Sequence, residues 1–301
     1  MRARFHATTL GIALILAFGL GAWMSKQMAV SNNVDESVLP PLPNWALAPL
    51  PNFNRYQETE IRKAHFFAFL FPRVVLANAR ILKLRQHLQA LQAKTTLNDR
   101  DKQWLRIQCK RLAIDAPIGS PEMYKLLDRR MDIVPPSLVL AQAANESGWG
   151  TSRFAREGNN LFGQWCFQSG CGIVPKQRAD GASHEVASFD SPYQSIRSYI
   201  TNLNRHTSYL KLRKMREALR DNNKFPSGIS LAKGLGSYSQ KGKTYVHDIM
   251  GMIRYNNLQY YDEKFKELMA GGLDDGTLSQ LAQMMDNTKV PTGSGSTIKS
   301  G

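Results

Sequence analysis

One glutamate stands out because it lies where a carboxylate is poorly placed. Glu146 falls in the last turn of a short, nearly all-apolar helix that Pro136 opens and Gly148 closes. The negative end of the helix dipole opposes a carboxylate there, and the small or apolar neighbours solvate it poorly. Both effects favour the protonated acid, which could act as a general acid. A surface glutamate at a frayed helix end would fit the same position, so position alone does not decide.

Aromatic and amide side chains follow this acid closely. Trp149 stands between two glycines, and the run at 159–165, Asn-Asn-Leu-Phe-Gly-Gln-Trp, holds Asn160, Phe162 and Trp165. Aromatic rings stack on sugars and amides bond acetamido groups, so these are the side chains that a carbohydrate groove needs. Singly, such aromatics are more often core residues. Their grouping beside an acid favours a binding role.

The elements that position these residues are mainly helical, which predicts an α+β protein with a small β-hairpin lobe. Between residues 162 and 189 the helical period disappears, and glycines separate short apolar pieces. Pro72 should kink or split the long helical stretch at 58–93. Further helices are predicted after Asn98, Ser120 and Ser191, and at 208–221 and 244–254.

The chain begins with a targeting pattern. Arg2 and Arg4 precede an almost uninterrupted apolar run over residues 10–24. This pattern is typical of an export signal or a short membrane anchor rather than of a buried helix. No clear cleavage site closes the run, so both alternatives stay open for residues 1–28. Either way, we expect the rest of the chain to work in the periplasm or cell envelope.

Charge and cysteine content narrow the class of partner. The 39 Lys and Arg residues against 24 Asp and Glu give a formal net charge of +15, which favours nucleic acid, anionic lipid or an acidic wall polymer. No zinc-type spacing and no Gly-rich phosphate loop occur, so we expect no nucleic acid, metal or cofactor. Cys166 and Cys171 could close a disulfide in a tight hairpin, whereas Cys109 suits a buried free thiol.

The residues from 136 to 163 also carry a resemblance. The stretches Gln142-Ala143-x-x-Glu146-Ser147-Gly148-Trp149-Gly150-x-Ser152 and Asn159-Asn160-Leu161-Phe162-Gly163 resemble the bacterial glucosaminidase domain of glycoside hydrolase family 73. Residues 55–260 resemble one subgroup of that family, through Phe66-Phe67-x-Phe69-Leu70 and Gly163-Gln164-Trp165-Cys166-Phe167. The resemblance implies a lysozyme-like α+β fold and hydrolysis of the β-1,4 bond after N-acetylglucosamine in peptidoglycan.

The resemblance also implies roles for individual residues. It makes Glu146 the general acid, and Tyr238, within Gly236-Ser237-Tyr238, a group that positions substrate or water. The substrate-binding candidates are Gln142, Trp149, Asn160, Phe162 and Trp165, and Phe162 and Trp165 are expected to form one groove wall, with Tyr238 opposite.

A second carboxylate is harder to assign. Many family members place one in the β-lobe, where this chain has Gln177. Asp180 and Glu185 are the acids nearby, and Glu185 is our candidate for the base. Without either, the acetamido group of the substrate could act as nucleophile.

The expected organisation has five parts, and alternatives to hydrolysis stay open. A lytic transglycosylase would use the same lone glutamate, and a non-catalytic module would bind glycan as a scaffold. We expect a monomer, and we favour packing over partner docking as the role of the helical extension. The parts are 1–28 (signal or anchor), 29–57 (Pro-rich linker), 58–115 (helical extension), 116–262 (glucosaminidase domain) and 263–301 (flexible tail).

Overall fold

The computed structural model describes residues 38–176, 178 and 183–287. Helices dominate and one small antiparallel sheet accompanies them, so the predicted α+β, lysozyme-like class is confirmed. The sheet has the strand order β1-β3-β2. The elements are α1 (Asn44–Leu47), α2 (Thr59–Gln92), α3 (Asp99–Leu112), α4 (Pro121–Arg130), α5 (Pro136–Ser147), α6 (Arg153–Gly158), β1 (Trp165–Cys166), β2 (Gly172–Ile173), β3 (Glu185–Ala187), α7 (Pro192–Arg205), α8 (Leu210–Asp221), α9 (Gly228–Ala232), α10 (Lys243–Tyr255), α11 (Gln259–Gly271) and α12 (Asp275–Asn287), with short 3-10 turns at Phe53–Arg55 and Thr207–Tyr209.

Helix α5 lies at the centre of the protein. Of its 12 residues, only Asn145 and Glu146, in the last turn, are not buried. Helices α2, α9, α10 and α11 pack around it. The absence of a polar face in its sequence agrees with this burial on all sides.

Buried polar side chains fix the start of α5. The side-chain amide of Asn78, in α2, donates from Nδ2 to the backbone carbonyl of Val134 (2.9 Å). Its Oδ1 accepts from the backbone N–H of Val134 (3.1 Å). From α11, the Asp262 carboxylate accepts from the Ser137 amide and hydroxyl (2.8 and 2.6 Å) and from the Gly228 amide (2.9 Å). Burial raises the pKa of Asp262, and these hydrogen bonds oppose the rise. A carboxylate at the positive end of α5 is also favourable.

A buried ion cluster secures the segment just before α5. Asp132 pairs with Arg216 (3.5 Å) and Arg220 (2.7 Å), both from α8. Arg216 also donates to the carbonyls of Ile133 (2.8 Å) and Arg129 (2.9 Å). Burial alone would raise the pKa of Asp132, but the two arginines outweigh it and the net change in its pKa is downward.

The part of the expected Pro-rich linker that the structure describes is packed against the rest of the protein, so the prediction of a linker is wrong there. Leu39, Ala46 and Phe53 are buried, and Phe53 lies against Phe66 of α2 with ring centres 5.4 Å apart. These apolar side chains are too widely spaced to show a helical or strand period. Ala46 reaches the core from the short helix α1, and Phe53 reaches it from a 3-10 turn.

Helix α2 runs through Pro72 without a break, so the expected split does not occur. Pro72 and its neighbours are buried, and tertiary packing outweighs the local cost of the missing amide donor. The first half of α2 belongs to the core around α5, and its second half forms a second core with α3 and α4. The extension therefore packs as part of the protein.

The flexible tail expected from residue 263 is wrong over 263–287. Residues in this range form the end of α11 and all of α12, which packs on α2. Leu278 and Leu281, one turn apart, are buried there and give α12 its apolar side. The expected signal or anchor at 1–28 and residues 288–301 lie outside the described residues. Within the described part, no helix is both long and apolar enough to span a bilayer.

Replacing Asp132 with asparagine should lower the free energy of unfolding by about 3 kcal/mol, because Arg216 stays buried without its charge partner. Since folding lowers the pKa of Asp132, its stabilisation is full above the unfolded-state pKa and disappears as pH falls through the folded-state pKa. Urea unfolding should therefore show a larger difference between Asp132→Asn and wild type at neutral pH than in acid.

The matched control is Asp221→Asn, which removes an exposed carboxylate at the end of α8 and should change stability by less than about 0.5 kcal/mol. Equal losses of unfolding free energy in the two variants would contradict a stabilising role for the buried ion cluster.

Candidate active site

Glu146 emerges from the core at the end of α5. It is only half-buried, because the last turn reaches the surface, so the expected poor solvation is partial. Its Oε1 accepts hydrogen bonds from the Tyr245 hydroxyl (2.7 Å) and the Asn145 amide (3.0 Å). Oε2 makes no hydrogen bond to any residue that the structure describes. One oxygen is therefore held and the other is available.

A tight turn directs the chain away from Glu146. Gly148, Trp149 and Gly150 all have positive φ (57°, 61° and 75°). A Cβ on Gly150 would lie 2.6 Å from the ring of Phe53, so only glycine fits there. The two glycines next to the acid thus serve the turn, and Trp149 packs edge-to-face on Phe67 of α2 with ring centres 5.4 Å apart.

A chain of buried hydrogen bonds leads to Glu146. Gln142 is fully buried, so the expectation that it contacts substrate is wrong. Its Nε2 donates to the Tyr245 hydroxyl (2.8 Å), and its Oε1 accepts from the Tyr199 hydroxyl. Gln142 lies one turn before Glu146 on the same face of α5, which explains why both reach Tyr245.

The hydrogen bonds from Gln142 through Tyr245 to Glu146 have a fixed donor-to-acceptor direction. Because Gln142 Nε2 can only donate, the Tyr245 oxygen accepts that bond and points its own hydrogen at Glu146. Burial, with Tyr238 and the charge of Glu146, raises the pKa of Tyr245 far above its ordinary value. Tyr245 is therefore a permanent donor to the carboxylate.

Sequence reasoning missed Tyr245. It lies four and eight residues before Ile249 and Ile253, which are buried on the same face of α10. A polar aromatic residue in an apolar helical stripe was the available signal.

Tyr238 lies beside Tyr245. The two rings stack with centres 5.2 Å apart and planes 9° apart, and the Tyr238 hydroxyl donates to the Phe162 carbonyl (3.2 Å). Burial, and then the charge of Glu146, raise the pKa of Tyr238 well above its ordinary value. Because the Tyr238 hydroxyl contacts Phe162 directly, its expected placement on the wall opposite Phe162 is wrong. Its role in positioning substrate or water stays a prediction.

Two of the expected substrate ligands are structural. Phe162 is 3% exposed and stacks on Tyr199 at 4.0 Å, so it belongs to the core and not to a groove wall. Asn160 is 2% exposed, and its side chain bonds the backbone of Phe162, Gln164 and Ala187. It fixes the loop that enters the β-lobe and has no free face for a sugar.

Trp165 has the exposure that a sugar platform needs. Its side chain is 60% exposed and stacks on the His184 ring at 4.2 Å. Phe167, 72% exposed, and Val174 add further exposed apolar surface to the same lobe. Exposed aromatic faces of this kind suit the apolar faces of pyranose rings.

Glu185 is used inside the lobe. Its two oxygens accept from the backbone amides of Gly170 (3.0 Å) and Gly172 (2.8 Å). These hydrogen bonds lower the pKa of Glu185. Because both oxygens already accept hydrogen bonds, this placement counts against the expected role of Glu185 as the catalytic base. Gln177 and Asp180 lie outside the described residues.

The predicted cysteine states are confirmed. Cys166 and Cys171 form a disulfide with Cα atoms 6.2 Å apart, and Cys109 is buried and free. The disulfide sulfurs and Glu185 lie within 4.8 Å of one another. Disulfide sulfurs are not thiolates, so this cluster closes the hairpin and does not provide metal ligands.

Comparison with known proteins places this site in a family context. Residues 121–269 match the glucosaminidase family model, described as mannosyl-glycoprotein endo-beta-N-acetylglucosaminidase. Over 208 residues the chain is 32% identical to Protein bax of Escherichia coli (strain K12), covering 69% of this chain and 74% of that protein. No solved structure gives a significant match. The region matched by the family model contains Glu146, Tyr238 and Tyr245.

Glu185→Gln should loosen the lobe, because the amide NH₂ group faces a backbone donor where a carboxylate oxygen accepted. We expect faster hydrogen exchange over 166–187 at neutral pH, measured by mass spectrometry, with little change in α5. Since folding lowers the pKa of Glu185, wild type should lose the same protection as pH falls through that pKa, once intrinsic exchange rates are corrected. Glu157→Gln, which removes an exposed glutamate of α6, is the control. Unchanged exchange in Glu185→Gln would contradict the structural role.

Proposed function

This chain belongs to the glucosaminidase family of glycan-cleaving hydrolases as a Bax-like protein, and we propose that it cleaves the β-1,4 bond after N-acetylglucosamine in peptidoglycan. The supporting observation is the environment of Glu146. Its Oε1 is held by Tyr245 and Asn145, and its Oε2 is available to carry a proton. A general acid needs this combination of fixed position and one accessible oxygen.

In the proposed reaction, Glu146 donates its proton from Oε2 to the leaving glycosidic oxygen as the bond to the sugar carbon breaks. Positive charge then develops on the sugar, and negative charge develops on Glu146. The Tyr245 hydroxyl already points at this carboxyl group and bonds the ionised form more strongly than the neutral one. Tyr245 therefore stabilises the charge that appears in the transition state.

The nucleophile in this proposal is the acetamido oxygen of the substrate. Both oxygens of Glu185 are engaged by loop amides, which leaves that residue poorly suited to activate water. The acetamido oxygen would attack the sugar carbon while the leaving oxygen takes the proton of Glu146. Water would then open the resulting ring, with Glu146 accepting a proton from the water.

Substrate binding is assigned to the exposed aromatic surface of the β-lobe. Trp165 and Phe167 would stack on sugar rings. The net charge of +15 would favour an anionic wall polymer, and the basic, apolar start of the chain supports work in the cell envelope.

A lytic transglycosylase is the second candidate, because a lone carboxylate suits it as well. In that reaction a hydroxyl of the substrate closes on the sugar carbon, and the product lacks one water. Product chemistry separates the two activities.

Glu146→Gln should reduce cleavage of purified peptidoglycan by about 10²–10⁴-fold, the usual contribution of a general acid. Products are read by mass spectrometry after borohydride reduction, with the full chain and with Glu157→Gln as the matched exposed control. Reduced N-acetylglucosamine ends from wild type and from Glu157→Gln support the proposal. Anhydro-muramyl ends would identify a transglycosylase, and full activity of Glu146→Gln would remove Glu146 from the mechanism.

Tyr245→Phe should lower kcat about 10–100-fold with little change in KM, because a hydrogen bond to a charged group is lost where charge develops. The control is Tyr255→Phe, which removes an exposed hydroxyl from the same helix, α10. Steady-state kinetics on soluble glycan fragments gives both constants. An effect on KM alone would show that Tyr245 binds substrate instead of supporting Glu146.

A further inference from the structure

Tyr199, in α7, lies at the inner end of the hydrogen-bond network that leads to Glu146. It is 1% exposed, and its ring stacks on Phe162 with centres 4.0 Å and planes 10° apart. Its hydroxyl donates to Gln142 Oε1 and makes no other hydrogen bond to the residues that the structure describes. The ring is therefore held by packing, and its hydroxyl hydrogen depends on Gln142 for an acceptor.

Burial keeps that hydrogen on Tyr199. Removal from water, and then the neighbouring tyrosines and Glu146, raise the pKa of Tyr199 well above its ordinary value. The neutral hydroxyl brings one hydrogen and oxygen lone pairs into a dry site. Buried donors without an acceptor are rarer in proteins than acceptors with an unused lone pair. The hydrogen of Tyr199 is therefore the stricter demand on its surroundings.

Two arrangements of the network would bond the side-chain amide of Gln142. In the observed arrangement, Tyr199 donates to Oε1, Nε2 donates to Tyr245, and Tyr245 donates to Glu146 Oε1. In the reverse arrangement the amide is turned over, so that Tyr245 donates to the amide oxygen. Nε2 then donates to the Tyr199 oxygen, and the Tyr199 hydrogen has no acceptor among the described residues. The cost of that buried donor selects the observed arrangement.

The two arrangements place the acid proton of Glu146 on different oxygens. In the observed one, Oε1 accepts from Tyr245, so the proton of neutral Glu146 lies on Oε2. In the reverse one, the Tyr245 hydrogen is used on Gln142, and the Tyr245 oxygen accepts the proton of Glu146 from Oε1. That proton would point at a buried tyrosine and away from the leaving oxygen. A general acid needs the observed arrangement.

We propose that Tyr199 is a positioning residue that assigns the acid proton of Glu146 to Oε2. It acts through Gln142 and Tyr245 and makes no hydrogen bond to Glu146 itself. The inference rests on the proposed role of Glu146 as general acid. It adds a residue of α7, buried behind the site, on which that role depends.

Tyr199→Phe tests the proposal, because it keeps the ring and removes the hydroxyl. The reverse arrangement then leaves no hydroxyl hydrogen unpaired, and the observed one leaves Gln142 Oε1 without a donor. We expect kcat of the full chain on soluble glycan fragments to fall about fivefold with KM unchanged. The control is Tyr193→Phe, which alters another buried tyrosine of α7 outside the network and should leave kcat unchanged. Wild-type kcat in Tyr199→Phe would overturn the proposal.

A second substitution separates positioning from a loss of packing. Gln142→Met gives Tyr245 only a weak sulfur acceptor, so its hydrogen returns to Glu146. The double variant with Tyr199→Phe and Gln142→Met should therefore have a kcat at least about twofold above that of Tyr199→Phe alone. Damage to packing would accumulate, so a double variant as slow as Tyr199→Phe, or slower, would overturn the proposal. Circular dichroism and thermal unfolding check that each variant folds.

Nuclear magnetic resonance reads the amide orientation without any cleavage. The Nε2 hydrogens of Gln142, assigned by their loss in Gln142→Met, should show nuclear Overhauser effects to the Tyr245 ring in wild type. In mild acid, where Glu146 carries a proton, Tyr199→Phe should add effects to the ring at position 199. An unchanged pattern would overturn the proposal. Full activity of Glu146→Gln, by contrast, would reject the proposed function, and the amide orientation would still show whether Tyr199 directs the network.

Discussion

The rest of the structure depends on the burial of α5 along nearly its whole length. Leu138, Val139 and Leu140 are fully buried, and each contributes roughly 1.5–3 kcal/mol of transfer free energy. Burial of a helix on all sides leaves its polar start without water, so Asn78 and Asp262 must supply hydrogen bonds there. Only the last turn reaches the surface, and that turn carries Glu146.

This constraint also shapes the chemistry proposed for the site. Because Gln142 lies one turn inside Glu146, its amide is held between two tyrosines without access for water. Hydrogen bonds in such surroundings are stronger than in water and have a fixed direction. Glu146 Oε1 accepts a hydrogen bond from the fixed Tyr245 hydroxyl, and Oε2 makes no hydrogen bond to the described residues. A proton donor positioned in this way loses little entropy on reaction.

The sequence was informative where local composition is distinctive, as in the nearly all-apolar helix at 136–147 and the Gly-rich lobe with its two cysteines. It could not separate Phe162 from Trp165, because both aromatics stand in the same short run. Their exposure is decided by partners from distant parts of the chain, Tyr199 and His184. The role of Glu185 was hidden for the same reason, since the amides that engage it lie across the hairpin. The helix at 275–287 could have been predicted from Leu278 and Leu281, which lie one turn apart.

The dependence of cleavage on the leaving group tests most directly whether Glu146 is the proton donor. Wild type and Glu146→Gln are compared on an N-acetylglucosamine oligosaccharide and on its dinitrophenyl glycoside, whose leaving group departs without a proton. The account predicts a loss of about 10²–10⁴-fold on the oligosaccharide and nearly wild-type release of dinitrophenolate in the first turnover, before Glu146 is needed to accept a proton from water. An equal first-turnover loss on both substrates would contradict it, because the missing group would then serve a step other than protonation of the leaving oxygen.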